Sequence, residues 1–552
     1  MKHSILLIIF SVFLQTSLSG QDVYRFRLLL SKKDLNAYSV HQPDKFLSEK
    51  AIDRRIKHGI PIDSTDFPVS NELLSSLKEQ GMTIVTKSKW MNSVVVECTD
   101  SLKAIQLKDL NFVDSVKLVF LKKMPTLESV FIRNERIPSK DETTTISNDE
   151  TTKDSNYYGQ AFNQLYMHQG NFLHDAGFKG SGMTIALLDA GFSNANRIEG
   201  LKDAIAGFKD FTTNDDNMLF DSTVSDHGTK VFSIISANLP NQLVGTAPQA
   251  SCWLFRTEDA SYEFPIEEDF WAAAIEYADS LGVDIINSSL GYSVFDAPSE
   301  SYVESQLDGK TAFITQVAEM ASQKGMLVCS SAGNEGNKNW RFITFPADGA
   351  QVFTIGSVSN DSLIAASSSR GPTADRRIKP DVVAQGVGAY SLDKDGHISS
   401  GSGTSFSSPV MAGLMACLWQ ACPDLTNVEL MDLVRSFSSN ADLPNVAYGY
   451  GIPNVYKAYQ STTTGIKEPT FVNNAHSVKF EINDDFLIVK KQAYHEDKKP
   501  YTLQIHTSQG DMVAKRTIHT ETDAISIKSF DRGFYVVSVY NEQEKFASKF
   551  VK

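Results

Sequence analysis

A chain of 552 residues is long enough for three or four domains, and an apolar share of 41% is enough to fill several cores. With 10% aromatic and 21% charged residues it is globular material and not a disordered polymer. The 52 basic and 66 acidic side chains leave a net charge of −14, which argues against wholesale nucleic-acid binding and suits an extracellular surface.

The opening segment "MKHSILLIIFSVFLQTSLSGQD" sets Lys2 and His3 ahead of the apolar run Ile5–Leu14, then places Ser17 and Ser19 in a cleavage-site pattern. A run this short reads as a secretory signal over residues 1–20 and not as a membrane span. No cysteine follows that region, so a lipid-anchored N-terminus is not expected, and no later stretch reaches about 18 uninterrupted apolar residues. From Val23 to Phe120 the pattern predicts strand "VYRFRLLL", helices in "PDKFLSEKAIDRRIKHG" and "NELLSSLKEQ", strands "MTIVTKS" and "MNSVVVEC", helix "SLKAIQLKD" and strand "FVDSVKLVF". Without the first helix the order is βαββαβ, a split-βαβ module over residues 21–130. The polar, Thr-rich "NERIPSKDETTTISNDETTKDSN" then reads as a protease-accessible connector, residues 131–156.

Residues 157–460 alternate strands and helices. "GMTIALLDAG", "ASCWLFRT", "VDIINSSLG", "MLVCSSAGN" and "VFTIGSVS" are short apolar strands. "GTKVFSIISANL", "EEDFWAAAIEYADSLG" and "TAFITQVAEMASQKG" are helical between them. Such a pattern predicts an α/β fold with a mostly parallel sheet sandwiched by helices, whose ligand sites gather beyond the carboxyl ends of the strands. "STTTGIKEPT" is a second linker, residues 461–470, and residues 471–552 switch to the alternation of a small antiparallel β-sandwich. The five cysteines, Cys98, Cys252, Cys329, Cys417 and Cys422, are too few and too scattered for a disulfide framework. The first three read as buried thiols, and pairing of Cys417 with Cys422 is the minority alternative. No His/Cys cluster points to zinc, and no cofactor is expected. Acidic stretches such as "TNDDN" read as solvated loops, with structural calcium left open.

Three separated stretches each carry one reactive side chain at an element end. Asp189 closes the strand "IALLD", His227 opens a helix in "SDHGTKVFSIIS", and Ser405 stands before the apolar helix in "SGSGTSFSSPVMAG". A serine hydroxyl is a weak nucleophile until a base takes its proton, and that base works best when a carboxylate fixes its tautomer. Each residue alone has a plainer reading, as a turn aspartate, a structural histidine or a helix cap. The combination in the chain order Asp, His, Ser gains weight from Asn334 in "CSSAGNEGN", an amide whose N–H groups suit a developing oxyanion.

Together "LLDAGF", "DHGTKV", "SSLGY", "SSAGNEG" and "GTSFSSPVMAG" resemble the motif set of the subtilisin-like serine proteases, over about residues 157–460. The resemblance implies that Asp189, His227 and Ser405 are the triad, that Asn334 and the Ser405 N–H form the oxyanion hole, and that Ser288, Ser289, Leu290, Gly291 and Gly333 contact substrate. It departs from the family at Ala190, where Ser or Thr is usual, at Lys230 in place of His, and at Phe406 in place of Met. Gly401 and Gly403 are expected to let the backbone turn where a β-carbon would crowd the substrate, and Pro409 to fall in the first helical turn or so. The leading module resembles a subtilase propeptide, which implies an inhibitor removed by cleavage in the connector; a standing binding domain is the alternative. "FDRGFYVVSVYNEQEKFASKFVK" resembles the C-terminal sorting domains of type IX secretion cargo, which implies contact with secretion machinery; a carbohydrate- or surface-binding sandwich is the alternative.

The resemblance therefore implies a secreted endopeptidase, extracellular or on the outer cell surface, made as a zymogen and acting on proteins or peptides. A catalytically degenerate subtilase serving as a surface binding protein is the second reading. An α/β-hydrolase esterase is excluded by the absence of G-x-S-x-G and by the serine-first order of that fold. A dinucleotide enzyme is excluded because "GFKGSGM" precedes its strand.

Overall fold

The computed structural model describes residues 21–31, 33, 37–123, 153–213, 215–463, 478–483, 486–491, 501–507, 512–518, 522–530, 534–541 and 545–551. The expected signal, most of the connector and most of the second linker lie outside the described residues. The chain divides into two compact units, Met1–Tyr459 and Gln460–Lys552. Among the described residues no helix is long and apolar enough to cross a membrane, and no disulfide joins the five cysteines.

The first unit begins with β1 (Val23–Leu30), α1 (Glu49–Lys57), α2 (Asn71–Glu79), β2 (Thr83–Ser88), β3 (Ser93–Cys98), α3 (Ser101–Ile105) and β4 (Val113–Lys122). Ser48 and Ser70 start α1 and α2 by accepting first-turn N–H groups, from Ala51 and Leu73. The strands form one sheet in the order β2-β3-β1-β4, antiparallel throughout, as the βαββαβ pattern predicts. Alternation on β3 serves two faces. Val94 and Val96 join Leu28, Leu77 and Ala104 in the module's own core, whereas Val95, with Val119 and Phe120, packs on Phe264, Ile266 and Phe270.

The second part runs α4 (Lys153–Tyr158), α5 (Phe162–Tyr166), α6 (Gly170–Asp175), β5 (Thr184–Asp189), β6 (Ile205–Asp210), α7 (His227–Ser236), β7 (Asn238–Leu239), β8 (Leu243–Val244), β9 (Ser251–Arg256) and α8 (Ile266–Leu281). It continues with β10 (Ile285–Ser288), α9 (Phe313–Gln323), β11 (Leu327–Ser331), β12 (Val352–Val358), β13 (Val382–Gln385), β14 (Ala389–Leu392), β15 (Ile398–Gly401), α10 (Thr404–Ala421), α11 (Asn427–Ser436) and α12 (Val455–Thr463). Seven strands form a parallel sheet in the order β13-β12-β11-β10-β5-β9-β6. Ile185 and Leu187 of β5 face the core shared with α7 and α10, and Ala186 and Leu188 face the one shared with α8 and α9. Two-sided burial is why these strands read as continuous apolar runs. The edge strands β6 and β13 were not among the expected ones: "IAGFKD" is half-exposed and holds a glycine, and "VVAQ" is four residues long. Helix α12 runs on to Thr463, past the expected start of the linker at 461.

The second unit holds β16 (Val478–Asn483), β17 (Phe486–Lys491), β18 (Tyr501–Thr507), β19 (Met512–Ile518), β20 (Thr522–Ser526), β21 (Phe534–Tyr540) and β22 (Lys545–Val551). They make two antiparallel sheets, β16-β17-β20 and β19-β18-β21-β22. Leu487 and Val489 of one sheet and Leu503, Ile505, Val537 and Val539 of the other share a single core, the expected sandwich.

Candidate active site

The carboxyl edge of the parallel sheet gathers the reactive residues. Asp189 ends β5 fully buried, and its Oδ1 accepts the Ala190 N–H at 2.8 Å, so a backbone group holds the carboxylate where a neighbouring hydroxyl is lacking. His227 is the first residue of α7, and its Nδ1 lies 2.9 Å from both Asp189 oxygens. Partial burial opposes a charged ring, but the Asp189 charge and hydrogen bond outweigh it and hold the imidazole pKa above the usual histidine value of 6.5. Lys230 is engaged by Asp226 at 3.3 Å, and the Phe406 ring stands edge-on to His227 with centroids 6.0 Å apart.

Ser405 is the second residue of α10, so its N–H is one of the first-turn donors without an intrahelical acceptor. Its Oγ donates to the Ser289 carbonyl at 3.2 Å, and the Ser289 Oγ donates back to the Ser405 carbonyl at 3.0 Å. The reason lies four residues on. Pro409 is the sixth residue of α10, deeper than the expected first turn, and lacks the N–H that would have bonded that carbonyl. Ser289 substitutes for it, and is itself held by Asn287 Nδ2 at 3.1 Å, while Ser408 Oγ donates to Asn287 Oδ1 at 2.9 Å. Asn287 and Ser408 were not singled out in the sequence; a proline four residues after a nucleophile-type serine was the available signal.

Asn334 follows β11 on the other side of the cleft. Its Oδ1 accepts the Thr404 N–H at 2.9 Å and the Thr404 hydroxyl at 3.1 Å, which fixes the amide orientation. Nδ2 is left without a protein partner among the described residues. Ser288 is buried and takes the Trp271 indole N–H at 3.0 Å, so its side chain serves the core. Ser289 and Leu290 lie along the same edge. A β-carbon on Gly291 or on Gly333 would lie 2.1 Å or 2.8 Å from Thr344 Oγ1, so both edges hold only glycine there. The glycines before Ser405 differ from expectation. A β-carbon at Gly401 would strike the Phe406 ring at 2.6 Å, so that glycine makes room for Phe406 and not for substrate. Gly403, at φ +152°, does adopt a backbone that side chains disfavour.

In the "TNDDN" stretch, Asp215 accepts the Asn217 N–H at 3.0 Å and Asp216 that of Asp210 at 3.1 Å. A separate group with metal-ligand spacing, Asp393, Asp395 and His397, sits at the β14–β15 turn. There Asp393 Oδ1 is taken up by the N–H groups of residues 395 and 397, both at 2.9 Å.

A parallel α/β sheet carrying a carboxylate-bound imidazole and a helix-borne serine on its carboxyl edge has the architecture of a serine hydrolase. Residues 180–451 match the subtilase family model, residues 25–135 the peptidase S8 propeptide domain of Bacteroidota, and residues 483–552 a secretion system C-terminal sorting domain. Subtilisin E of Bacillus subtilis (strain 168) is 29% identical over 294 residues, covering 52% of this chain and 68% of that protein. Subtilisin of Bacillus pumilus is also 29% identical over 294 residues, covering 52% and 94%. The serine protease AprX of Bacillus subtilis (strain 168) is 29% identical over 305 residues, covering 50% and 65%. The chain belongs to the subtilase family: it is a serine endopeptidase with a propeptide domain, and its sorting domain directs it to the extracellular space or cell surface.

Proposed function

We propose that the protein is made as a zymogen whose propeptide domain inhibits it until the chain is cut after that domain, and that it hydrolyses peptide bonds through an acyl-enzyme. Asp189, His227 and Ser405 form the triad in this reading, with Asn334 Nδ2 and the Ser405 N–H as oxyanion donors. On substrate binding the Ser405 hydroxyl turns from the Ser289 carbonyl to His227 Nε2. The hydroxyl oxygen adds to the scissile carbonyl, its proton passes to Nε2, and Asp189 stabilises the imidazolium through Nδ1–H. The two N–H donors take the oxyanion. The intermediate collapses as His227 protonates the leaving amine, and water repeats the sequence on the acyl-enzyme, returning the proton to Ser405. The sorting domain is the part that meets the secretion machinery.

The observation that carries this reading is the 2.9 Å contact of His227 Nδ1 with Asp189, which leaves Nε2 as the working nitrogen. The reading predicts that Ser405→Ala abolishes both casein hydrolysis and self-cleavage between propeptide and catalytic domain. Labelling with an active-site fluorophosphonate and N-terminal sequencing of the mature form report the two events. Undiminished casein turnover by the variant would remove Ser405 from the mechanism.

A further inference from the structure

Beyond Ser288 and Ser330, the last paired residues of β10 and β11, the two chains part. The first runs through Ser289, whose carbonyl accepts the Ser405 hydroxyl at 3.2 Å, to Gly291. The second runs through Ala332 and Gly333 to Asn334, whose amide oxygen is held by the Thr404 N–H at 2.9 Å. The Ser405 hydroxyl and the Asn334 amide therefore stand at the mouth of one gap, with Gly291 on one wall and Gly333 on the other. Residues 344 and 345 tie the two walls together. The Thr344 N–H donates to the Ala332 carbonyl at 3.1 Å, and Tyr292 and Phe345 exchange two backbone hydrogen bonds of 2.9 and 3.0 Å.

The Thr344 side chain fills the space between those walls. A β-carbon on Gly291 would lie 2.1 Å from Thr344 Oγ1 and 3.0 Å from its Cβ, and one on Gly333 would lie 2.8 Å from Oγ1 and 2.9 Å from Cγ2. Thr344 is only 4% exposed, and its hydroxyl has no hydrogen-bond partner among the described residues. Packing against the two glycines, and not a hydrogen bond, therefore keeps the side chain in the gap. An extended substrate lying along residues 289–291 turns successive side chains to opposite faces. With its carbonyl carbon against Ser405 Oγ and its oxygen toward Asn334, the attacked residue turns its own side chain into this gap. A methyl-sized group fits above Thr344. A long or aromatic one must displace a buried side chain or spread both walls, and close-packed interiors resist both.

We propose that Thr344 determines specificity as the stopper of this gap, restricting the residue whose carbonyl is attacked to glycine, alanine or serine. This rests on the proteolytic reading of the site. The test uses the matured protein and internally quenched peptides identical except at that residue, which is alanine, leucine or phenylalanine, with mass spectrometry identifying the bond cut. The kcat/KM of the alanine peptide should exceed that of the leucine and phenylalanine peptides by roughly tenfold or more. Thr344→Gly should lower that ratio at least tenfold, and Thr344→Ala should move it the same way by less. Thr344→Val, which keeps the bulk and drops the hydroxyl, should retain the preference for alanine. Phenylalanine cleaved as fast as alanine by the unaltered protein, a ratio unmoved in both the glycine and alanine variants, or a preference lost in the valine variant would overturn the assignment while the proteolytic reading stood. Failure of the unaltered protein to cleave any peptide, with no fluorophosphonate labelling of Ser405, would overturn both.

Discussion

The pairing of Asp189 with His227 sets the direction of the pH response at the level of single residues. Because the carboxylate holds the imidazolium pKa above 6.5, the neutral base is lost as pH falls through that raised value. The acid limb of kcat/KM should therefore lie above an ordinary histidine titration. Asp189→Asn removes the charge that raises it, so the limb should move to lower pH while kcat falls by about ten-thousandfold. A pH–rate profile checks both, and a limb that stays in place would assign the titration to another group. Asp189 closes a strand, His227 and Ser405 stand at helix starts and Asn334 lies in the loop after β11; each alone has a plainer reading, and what marks them in the sequence is their combination and the motif resemblance.

The helix bearing Ser405 shows how one element depends on another. Pro409 removes an N–H from α10, and the Ser405 carbonyl is satisfied from the segment after β10 by Ser289. A buried acceptor left without its donor costs about 1–3 kcal/mol, so Ser289→Ala should destabilise the protein by that amount. Pro409→Ala restores a backbone donor to the same carbonyl, so in that background the loss from Ser289→Ala should shrink, with a coupling of roughly 1 kcal/mol. Denaturant unfolding of the four proteins in a Ser405→Ala background, which prevents self-digestion, measures the cycle; strictly additive losses would show that the two sites do not share the carbonyl. The sequence marks this helix by its apolar run and its small-residue lead-in. It does not show that a proline could be placed on its second turn, because the compensating hydroxyl lies 116 residues away.

Across the whole molecule, the propeptide domain sits on α8 through buried charge as well as apolar contact. Arg27 bonds both oxygens of Asp269 at 2.7 Å, and Arg54 reaches Asp279 at 2.6 Å. Arg55 spans Asp279 at 3.0 Å and Asp66 at 3.2 Å, and Glu276 accepts the N–H groups of Lys89 and Trp90 at 2.6 and 3.0 Å. Burial works against the Asp279 charge, yet Arg54 and Arg55 hold its pKa below the usual aspartate value. Arg55→Met keeps the aliphatic volume but takes one of the cations from each of two buried carboxylates, Asp279 and Asp66, so the Ser405→Ala precursor should lose up to about 3–5 kcal/mol. A loss within a few tenths of a kcal/mol, about the error of the unfolding measurement, would mean that the neighbouring Arg54, Lys89 and Lys324 suffice. In the sequence "EKAIDRRIK" and "EEDFWAAAIEYADSL" fall in two expected helices, and nothing local shows that their charged faces meet. Packing brings those faces together and removes the water.

By itself the sequence determined the succession of elements, the parallel sheet between helix layers, the split-βαβ module ahead of it and the terminal sandwich. Period, caps and turn residues act over a few positions, and they survive whatever packs around them. Tertiary structure alone decided which polar groups satisfy one another: Ser289 with Ser405, and Arg55 with Asp279. Those choices follow from desolvation, which no residue experiences until distant segments close over it.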